Sequence, residues 1–489
     1  MTCKTIMFQG TGSDVGKSLI VAGLARAFAN QGLNIRPFKP QNMSNNAAVT
    51  ADGGEIGRAQ ALQARAARIP ASVHMNPVLL KPESTTGAQI IIQGKAEATL
   101  TASKYKKSLL QYMPRILDSF NQLKAEADLV IVEGAGSPAE INLRQGDIAN
   151  MGFAHAANVP VLLIGDINRG GVIASIVGTF QMISDEDASR LKGFIINNFH
   201  GSVDLFDEGR LILEEVTATP CLGIIPHFAD AGKLPAEDAV VLEKTTTLGN
   251  GNFHIAVPRL SRIANFDDLD PLKLETNVSI EIIQPGSAIP AHTNLVIIPG
   301  TKATIADLKY LRHQGWDIDI LAHTRRGGHV LGLCGGYQML GKTIADPNGV
   351  EGLPETVTGL GLLDIETTLT GDKTLTNVTG RHCQSKTTIS GYEIHIGKTV
   401  GPACSRPFAN INGKNEGACN GNISGTYLHG CFNGDAFRTS FLQSLGAYGT
   451  DNAINTVYET IIDQTLDGLA DHLAQHLDLE KILDIATPS

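Results

Sequence analysis

The chain has 489 residues, which is enough for two or three domains of ordinary size. Its 39 Lys and Arg residues are outnumbered by 49 Asp and Glu residues, and the formal net charge of −10 argues against a nucleic-acid-binding protein with a broad basic surface. Hydrophobic residues make up 42% of the chain and charged residues 18%, which argues against disorder and predicts a sizeable core.

Two further properties concern the location of the protein. No apolar run approaches the ~20 residues of a membrane-spanning helix, and the first residues lead from a short apolar stretch straight into a glycine-rich loop, unlike a signal peptide. The seven cysteines are scattered and contain no C-x-x-C pair, so neither a disulfide framework nor a structural zinc site is expected. These features predict a cytoplasmic protein without a membrane partner.

Short apolar runs alternate with helical patterns over residues 1–230, which predicts a parallel α/β sheet with flanking helices. The runs are continuous, as expected for strands buried on both faces. The predicted strands are Thr5–Gln9, Leu129–Val132, Val159–Ile164, Gly193–Asn197 and Cys221–Ile225, and the predicted helices are Lys17–Asn30 and Glu55–Ala67.

A linker is predicted at residues 231–252, where Pro, Gly and Thr interrupt the α/β pattern. A second α/β domain is predicted at 253–446, followed by a C-terminal helical tail at 447–489 with apolar residues at helical spacing. The predicted strands of the second domain are His254–Leu260, Leu295–Pro299, His329–Leu333, Gly391–Thr399 and Ile423–Leu428.

A glycine-rich segment follows the first predicted strand and opens the first predicted helix, which is the context of a phosphate-binding loop. Lys17 would contact the outer phosphates of a nucleotide, and the Ser18 hydroxyl would bind Mg²⁺. Five residues separate the two outer glycines, where the standard loop has four, and a tight turn with a chance Gly-Lys-Ser is the alternative. The loop residues expected at the nucleotide are Gly10, Thr11, Gly12, Val15, Gly16, Lys17 and Ser18.

Two acids are candidate metal ligands. Glu133 follows a predicted buried strand at its carboxyl end, where an acid in a P-loop fold meets Mg²⁺, and an ordinary loop acid is the alternative. Asp52, in Asp-Gly-Gly-Glu, is a second candidate, and a turn aspartate is the alternative for this residue.

These segments resemble the dethiobiotin-synthetase-like P-loop enzymes, through the step from Gly10 to Gly16, the Lys39-Pro40 pair and the Glu133-Gly-Ala-Gly loop. Members of that group use ATP to activate a carboxylate. The resemblance implies ATP as a substrate, with Asn197 facing the adenine and the Ile225-Pro226 turn lining the same pocket.

A second site is predicted where the strand His329–Leu333 ends in Gly-Leu-Cys334-Gly-Gly and leads into a helix. This is the arrangement of a nucleophile elbow, in which small neighbours let the chain turn sharply and expose the nucleophile. Backbone N–H groups beside Cys334, and a second loop at Pro299-Gly300, would bind a tetrahedral oxyanion. A buried cysteine that acts as a small hydrophobe is the alternative.

The base for such a nucleophile should be a histidine from elsewhere in the fold. His429 ends a predicted strand about 95 residues after Cys334 and is the best candidate. His395 lies in the middle of a predicted strand and suits a structural or substrate-side position.

Residues 253–446 resemble the class I glutamine amidotransferases, which hydrolyse glutamine through a Cys thioester and release ammonia. The resemblance implies that Cys334 is the nucleophile and His429 the base. The usual triad carries a Glu two residues after the His, but this chain has Cys431 there, a departure shared by amidotransferases that act on corrinoid acids. What orients His429 is left open.

The full-length pattern resembles the corrinoid-amidating synthetases of cobalamin biosynthesis, through residues 39–46, 51–60, 163–171 and 193–201. The resemblance implies that ATP, Mg²⁺ and glutamine serve four amidations of a corrinoid polycarboxylate, at the b, d, e and g side chains of adenosylcobyrinic acid a,c-diamide. Amidation of the a and c side chains of cobyrinic acid is the near alternative, and the first two segments disfavour it.

An alternative of a different class is a nucleotide-dependent switch that binds a partner protein. Such switches generally carry an extra Lys early in the phosphate loop, near Thr11 or Gly12, and this chain has none there. The sequence is also compatible with a homo-oligomer.

Overall fold

The computed structural model describes residues 3–82, 87–101, 109–237, 242, 247–448 and 457–488. It divides into two compact units. Parts of the predicted linker (238–241 and 243–246) and of the predicted tail (449–456) lie outside the described residues. Unit 1 comprises Met1–Ser44, Thr50–Glu237 and Ile462–Ser489, and unit 2 comprises Asn45–Val49 and Asp238–Ile461.

The strands up to residue 237 are β1 (Lys4–Gly10), β2 (Ile35–Phe38), β3 (Gln41–Met43), β4 (Ala47–Val49), β5 (Glu55–Gly57), β6 (Val78–Pro82), β7 (Gly87–Ile92), β8 (Lys95–Thr101), β9 (Leu129–Glu133), β10 (Val161–Asp166), β11 (Leu191–Phe199) and β12 (Cys221–Pro226). The later strands are β13 (Thr247–Leu248), β14 (Phe253–Pro258), β15 (Val278–Ile283), β16 (Leu295–Ile298), β17 (His329–Leu333), β18 (Thr343–Asp346), β19 (Glu355–Thr358), β20 (Glu366–His382), β21 (Thr388–Val400), β22 (Ala409–Ile411), β23 (Lys414–Glu416), β24 (Ala418–Asn420), β25 (Ile423–Thr426), β26 (Leu428–His429) and β27 (Thr487–Pro488).

The helices are α1 (Lys17–Asn30), α2 (Arg58–Ala66), α3 (Met113–Ala125), α4 (Met151–Ala156), α5 (Val172–Met182), α6 (Asp185–Ala188), α7 (Asp207–Thr217), α8 (Asp270–Lys273), α9 (Thr304–His313), α10 (Trp316–Arg325), α11 (Gly335–Met339), α12 (Asp435–Ser444), α13 (Tyr458–His476) and α14 (Leu479–Ile485).

A parallel sheet lies at the centre of unit 1, in the order β12-β11-β10-β1-β9-β2, with β27 antiparallel to β1. Its strands are continuous apolar runs, such as the fully buried Ile6–Phe8, because the sheet is covered on both faces. Phe8 pairs with Glu133, so the ends of β1 and β9 meet at one edge of the sheet. A smaller sheet, β3-β6-β7-β8, lies in the same unit.

The main sheet of unit 2 has the order β13-β15-β14-β16-β17-β25-β24. The five central strands, β15, β14, β16, β17 and β25, are parallel to one another. A second sheet, β19-β18-β20-β21-β26, is mostly antiparallel. Leu333 pairs with Thr426, so β17 and β25 end together and bring the segments after them to one place. The two-domain α/β fold class predicted from the sequence is confirmed.

The C-terminal segment forms α13 and α14. Ile462, Leu466 and Leu469 of α13 are buried, as the helical spacing of these apolar residues predicts. Leu469 and Leu473 pack closely against Gly23 of α1. This packing explains why the chain from Ile462 onwards clusters with unit 1.

Two predicted elements differ from the structure in type or continuity and not only in their bounds. The predicted helix Glu55–Ala67 begins only at Arg58, because Glu55 is extended, donates its backbone N–H to the Gly94 carbonyl and forms a buried ion pair with Lys81. The predicted strand Ile423–Leu428 is split between β25 and β26, which belong to different sheets.

The buried Glu416 accounts for that split. Its carboxylate accepts hydrogen bonds from the Thr426 hydroxyl at 2.7 Å and from the Tyr427 N–H at 2.6 Å. The Tyr427 N–H is therefore not available for strand pairing, and the chain passes to the second sheet at Leu428 and His429.

Candidate active sites

The predicted phosphate loop lies between β1 and α1, where the backbone turns sharply at Gly16. This residue has a φ of +93°, and a Cβ atom there would collide with the side-chain amide of Asn197. Only glycine satisfies both conditions without strain. Asn197 also donates from Nδ2 to the Val15 carbonyl at 2.9 Å, so a residue of β11, two strands away from β1, holds the loop.

Lys17 opens α1 with its ammonium group directed back into the loop. Its Nζ donates to the Gly12 carbonyl at 2.8 Å and to the Gly136 carbonyl at 3.1 Å. Burial lowers the pKa of Lys17, and the nearby Glu133 carboxylate opposes that shift. The ammonium group therefore lies where the loop and the segment after β9 converge.

Ser18 and Glu133, both predicted metal ligands, lie together. The Ser18 Oγ is 2.7 Å from the Glu133 Oε1, and Gln63 donates from Nε2 to the other carboxylate oxygen at 2.6 Å. Lys39 forms an ion pair with Glu133 at 2.8 Å. Hydroxyl and carboxylate oxygens are the hard donors that Mg²⁺ prefers, so the chemistry of this group fits a magnesium site.

Lys39 and Glu237 complete this polar cluster. The Lys39 Nζ is 2.8 Å from a carboxylate oxygen of Glu237 as well as from Glu133. Burial alone would lower the pKa of Lys39, but the two carboxylates outweigh it and raise the pKa. Sequence reasoning used Lys39 only as part of a resemblance and did not select Glu237, because an acid in a predicted linker carries no local signal.

The remaining predicted nucleotide-site residues of unit 1 lie in other surroundings. Asp52 is in an exposed turn, where its carboxylate accepts hydrogen bonds from the Ser72 hydroxyl and the Val73 N–H. A turn aspartate is the alternative that the sequence offered for this residue. Pro226 ends β12, and its carbonyl accepts a hydrogen bond from His472 at 2.8 Å.

Cys334 lies directly between β17 and α11, at the elbow predicted from the sequence. Its φ of +50° and ψ of −108° are rare for a residue with a side chain, and such strain persists only where surrounding structure imposes it. Its N–H donates to the Thr426 carbonyl at 2.8 Å, and only 7% of the residue is exposed. The thiol lies at the amino end of a helix and next to the end of β25.

The structure brings Cys334 close to His429, so that the thiol contributes to raising the pKa of the imidazole, while the Cys334 Sγ donates to the Ile394 carbonyl at 3.6 Å. The His429 ring also lies against Gly300, where a Cβ atom would be 2.8 Å from its Cε1. A side chain at residue 300 would therefore push the imidazole away. The predicted oxyanion loop after β16 thus borders the Cys–His pair.

Asp268 supplies the acid that the sequence did not identify. Its Oδ2 is 2.6 Å from the His429 Nδ1, and its Oδ1 accepts a hydrogen bond from the Gly430 N–H at 2.6 Å. Burial disfavours the charged imidazole, but Asp268 outweighs burial and raises the pKa of His429 to about 10. Asp268 lies in a 3-10 turn, Phe266–Leu269, in an acid-rich run whose members look equivalent in the sequence.

Cys431 and His395 lie in different surroundings, and the His395 Nε2 is 3.7 Å from a carboxylate oxygen of Glu393. Cys431 is fully buried, and burial raises its thiol pKa well above the ordinary value. The His395 ring stacks on Tyr427 at a centroid distance of 3.7 Å. The structural or substrate-side position predicted for His395 stays a prediction.

Comparison with known proteins also gives two parts, an N-terminal and a C-terminal one, which match two different family models. Residues 6–241 match the family described as the CobQ/CobB/MinD/ParA nucleotide-binding domain, and residues 254–437 match the CobB/CobQ-like glutamine amidotransferase domain. The cobyric acid synthase of Cereibacter sphaeroides is 59% identical over 460 residues, which are 94% of this chain and 95% of that relative. The cobyric acid synthases of a Jannaschia species and of Bradyrhizobium diazoefficiens are each 57% identical and cover 99% of both chains.

A nucleotide-binding half and a glutamine amidotransferase half on one chain define a glutamine-hydrolysing carbon–nitrogen ligase. The chain belongs to the cobyric acid synthase family. The resemblance to corrinoid-amidating synthetases inferred from the sequence is thereby confirmed. Within the part of the chain that the structure describes, no helix is both long enough and apolar enough to cross a bilayer.

Proposed function

We propose that the protein amidates the b, d, e and g carboxylates of adenosylcobyrinic acid a,c-diamide, using ATP and glutamine, in cobalamin biosynthesis. The carrying observation is that one chain holds both a phosphate loop with Ser18 beside Glu133 and a strained Cys334 beside His429. The names of its relatives support the choice of a corrinoid acid as substrate.

In unit 1, a carboxylate oxygen of the corrinoid attacks the γ-phosphorus of ATP, ADP leaves, and an acyl phosphate forms. Lys17 is placed to neutralise charge on the transferred phosphoryl group by exchanging its carbonyl partners for phosphate oxygens. Mg²⁺ held by Ser18 and Glu133 would supply further charge neutralisation. Asn197 keeps the loop in its shape through Val15.

In unit 2, the Cys334 thiolate attacks the side-chain amide carbon of glutamine, and His429 gives a proton to the departing ammonia. Water then hydrolyses the thioester and releases glutamate. Asp268 holds the His429 ring and stabilises its charged form. Ammonia attacks the acyl carbon of the acyl phosphate, phosphate leaves, and the new amide loses a proton.

The direct test uses purified protein with ATP, Mg²⁺ and glutamine, and counts added amides by mass spectrometry. Adenosylcobyrinic acid a,c-diamide should gain four amides, one for each predicted position. Gain of amides only by cobyrinic acid would instead identify a cobyrinic acid a,c-diamide synthase. ATP hydrolysis that is independent of any corrinoid would favour the partner-binding switch.

Asp268→Asn should reduce glutamine-dependent turnover by up to about 10⁴-fold, the loss found when the acid that orients a catalytic histidine is replaced by its amide. Asn can still accept the Gly430 hydrogen bond, but it presents no charge to His429. Turnover with added ammonium salt should be unchanged. Asp364→Asn, which alters a half-exposed carboxylate paired with Lys342 in the same unit, is the matched control. Equal loss with both nitrogen sources would contradict the positioning role.

The same variant should change how stability depends on pH. In the wild type the folded-state pKa of His429 lies near 10, above the ordinary value of 6.5, so its stabilising contribution is complete below pH 6.5 and is lost as pH rises towards 10. Without the Asp268 charge, burial is opposed only by the smaller raising effect of Cys334, and the His429 pKa falls. The thermal unfolding midpoint should therefore decrease less steeply between about pH 6 and about pH 10 in the variant than in the wild type.

A further inference from the structure

Glu237 turns its side chain into the phosphate-loop region of unit 1. Its Oε2 is 2.7 Å from the Ser18 Oγ, and its Oε1 is 2.8 Å from the Lys39 Nζ. The Glu237 backbone carbonyl also accepts a hydrogen bond from the Ser44 hydroxyl at 3.0 Å. The side chain is 19% exposed, so it belongs to the interior of the site.

The hydrogen bonds around Ser18 do not balance. Its hydroxyl carries one hydrogen, yet two carboxylate oxygens, one from Glu133 and one from Glu237, lie 2.7 Å from its Oγ. The hydroxyl can donate to only one of them, so the other faces its lone pairs. Three oxygens that converge in this way resemble the ligands of a hard cation more than a hydrogen-bonded group.

The charges lead to the same conclusion. Lys17 and Lys39 contribute two positive charges, and Glu133 and Glu237 contribute two negative charges. A second carboxylate beside a phosphate loop repels the triphosphate that the loop binds, unless a cation lies between them. A bound divalent cation turns this repulsion into coordination from both sides.

Resting on the proposed function, we infer that Glu237 is a second carboxylate ligand of the metal–nucleotide complex, beside Ser18 and Glu133. Mg²⁺ is commonly held by one or two carboxylates together with substrate phosphates and water, which is the set that these residues leave room for. The chain thus takes one carboxylate ligand from the end of β9 and the other from Glu237, the last residue of the segment Thr50–Glu237 of unit 1.

The test measures metal binding without turnover. Mn²⁺ is titrated into the full-length protein with the non-hydrolysable analogue AMP-PNP, and free Mn²⁺ is followed by electron paramagnetic resonance. Glu237→Gln should weaken Mn²⁺ binding in this complex by about 10- to 100-fold, as loss of groups that organise a metal site does. Asp230→Asn, an exposed carboxylate of the same segment paired with Lys233, should match the wild type.

Each outcome has a distinct meaning. Unchanged Mn²⁺ affinity in Glu237→Gln would overturn the assignment, and tighter binding of metal and nucleotide would show that Glu237 blocks the site rather than serving it. Failure of the wild type to bind Mn²⁺ with AMP-PNP would instead overturn the proposed nucleotide chemistry of the loop. Glutaminase activity from unit 2 should be equal in all variants.

A second variant guards against loss of folding. Glu237→Asp keeps the charge near Lys39 but withdraws the carboxylate by one methylene group. We expect an unchanged thermal unfolding midpoint and Mn²⁺ binding that is weaker than in the wild type. Wild-type Mn²⁺ affinity in Glu237→Asp would also count against direct coordination.

Discussion

Cys334→Ala should abolish amidation that draws nitrogen from glutamine and leave amidation supported by added ammonium salt. The Cys334 sulfur is the only protein atom proposed to form a covalent bond with glutamine. Its loss should therefore lower glutamine-dependent turnover by about 10⁴-fold or more. The phosphate loop belongs to the other unit and is not altered by this change. The measurement is the corrinoid amide count with each nitrogen source, together with glutamate release.

The backbone at Cys334 makes the variant easy to interpret. Alanine at a φ of +50° meets the same strain as cysteine, so the elbow loses the thiol without a new conformational demand. Cys383→Ala, a partly buried cysteine of the same unit, is the matched control and should keep both activities. Equal loss with both nitrogen sources in Cys334→Ala would contradict its role as the glutaminase nucleophile.

Local sequence was sufficient to predict the position of a residue that directly follows a buried strand. The apolar run at β9 fixed where Glu133 falls, and parallel strands place their carboxyl ends at one edge, so Glu133 could be expected near the phosphate loop. The same reasoning applies to Cys334 after β17. The extent of β5 could not be predicted, because Glu55 takes its extended form from Gly94 and Lys81, which are distant in the chain.

The residues missed at the two candidate sites have a common cause. Asp268 precedes His429 by 161 positions and Glu237 follows Ser18 by 219, and neither lies in a motif. Acids are frequent in loops and turns, so the sequence alone does not distinguish these two from their neighbours. Only the folded chain shows which carboxylate faces an imidazole and which faces a hydroxyl.

Lys17→Ala should stop amidation from both glutamine and ammonium salt while glutaminase activity survives. The change removes the ammonium group proposed to neutralise the transferred phosphoryl group, and ammonia cannot displace phosphate from an acyl phosphate that never forms. Loss of one such charged contact should cost at least about 10²- to 10³-fold in turnover. The measurements are corrinoid amide count, AMP-PNP affinity and glutamate release.

Lys17 also has a structural role, since its Nζ donates hydrogen bonds to the Gly12 and Gly136 carbonyls. Removing it leaves these acceptors without their partner, at a cost of roughly 1–3 kcal/mol each if water does not reach them. Glutaminase activity is an internal check on the chain, and Lys192→Ala, an exposed lysine of β11, is the control for charge. Ammonium-dependent synthesis still requires the acyl phosphate, and Lys17 is proposed to act only in forming it. Survival of this synthesis in Lys17→Ala would therefore contradict the proposed role of Lys17 at the phosphate site.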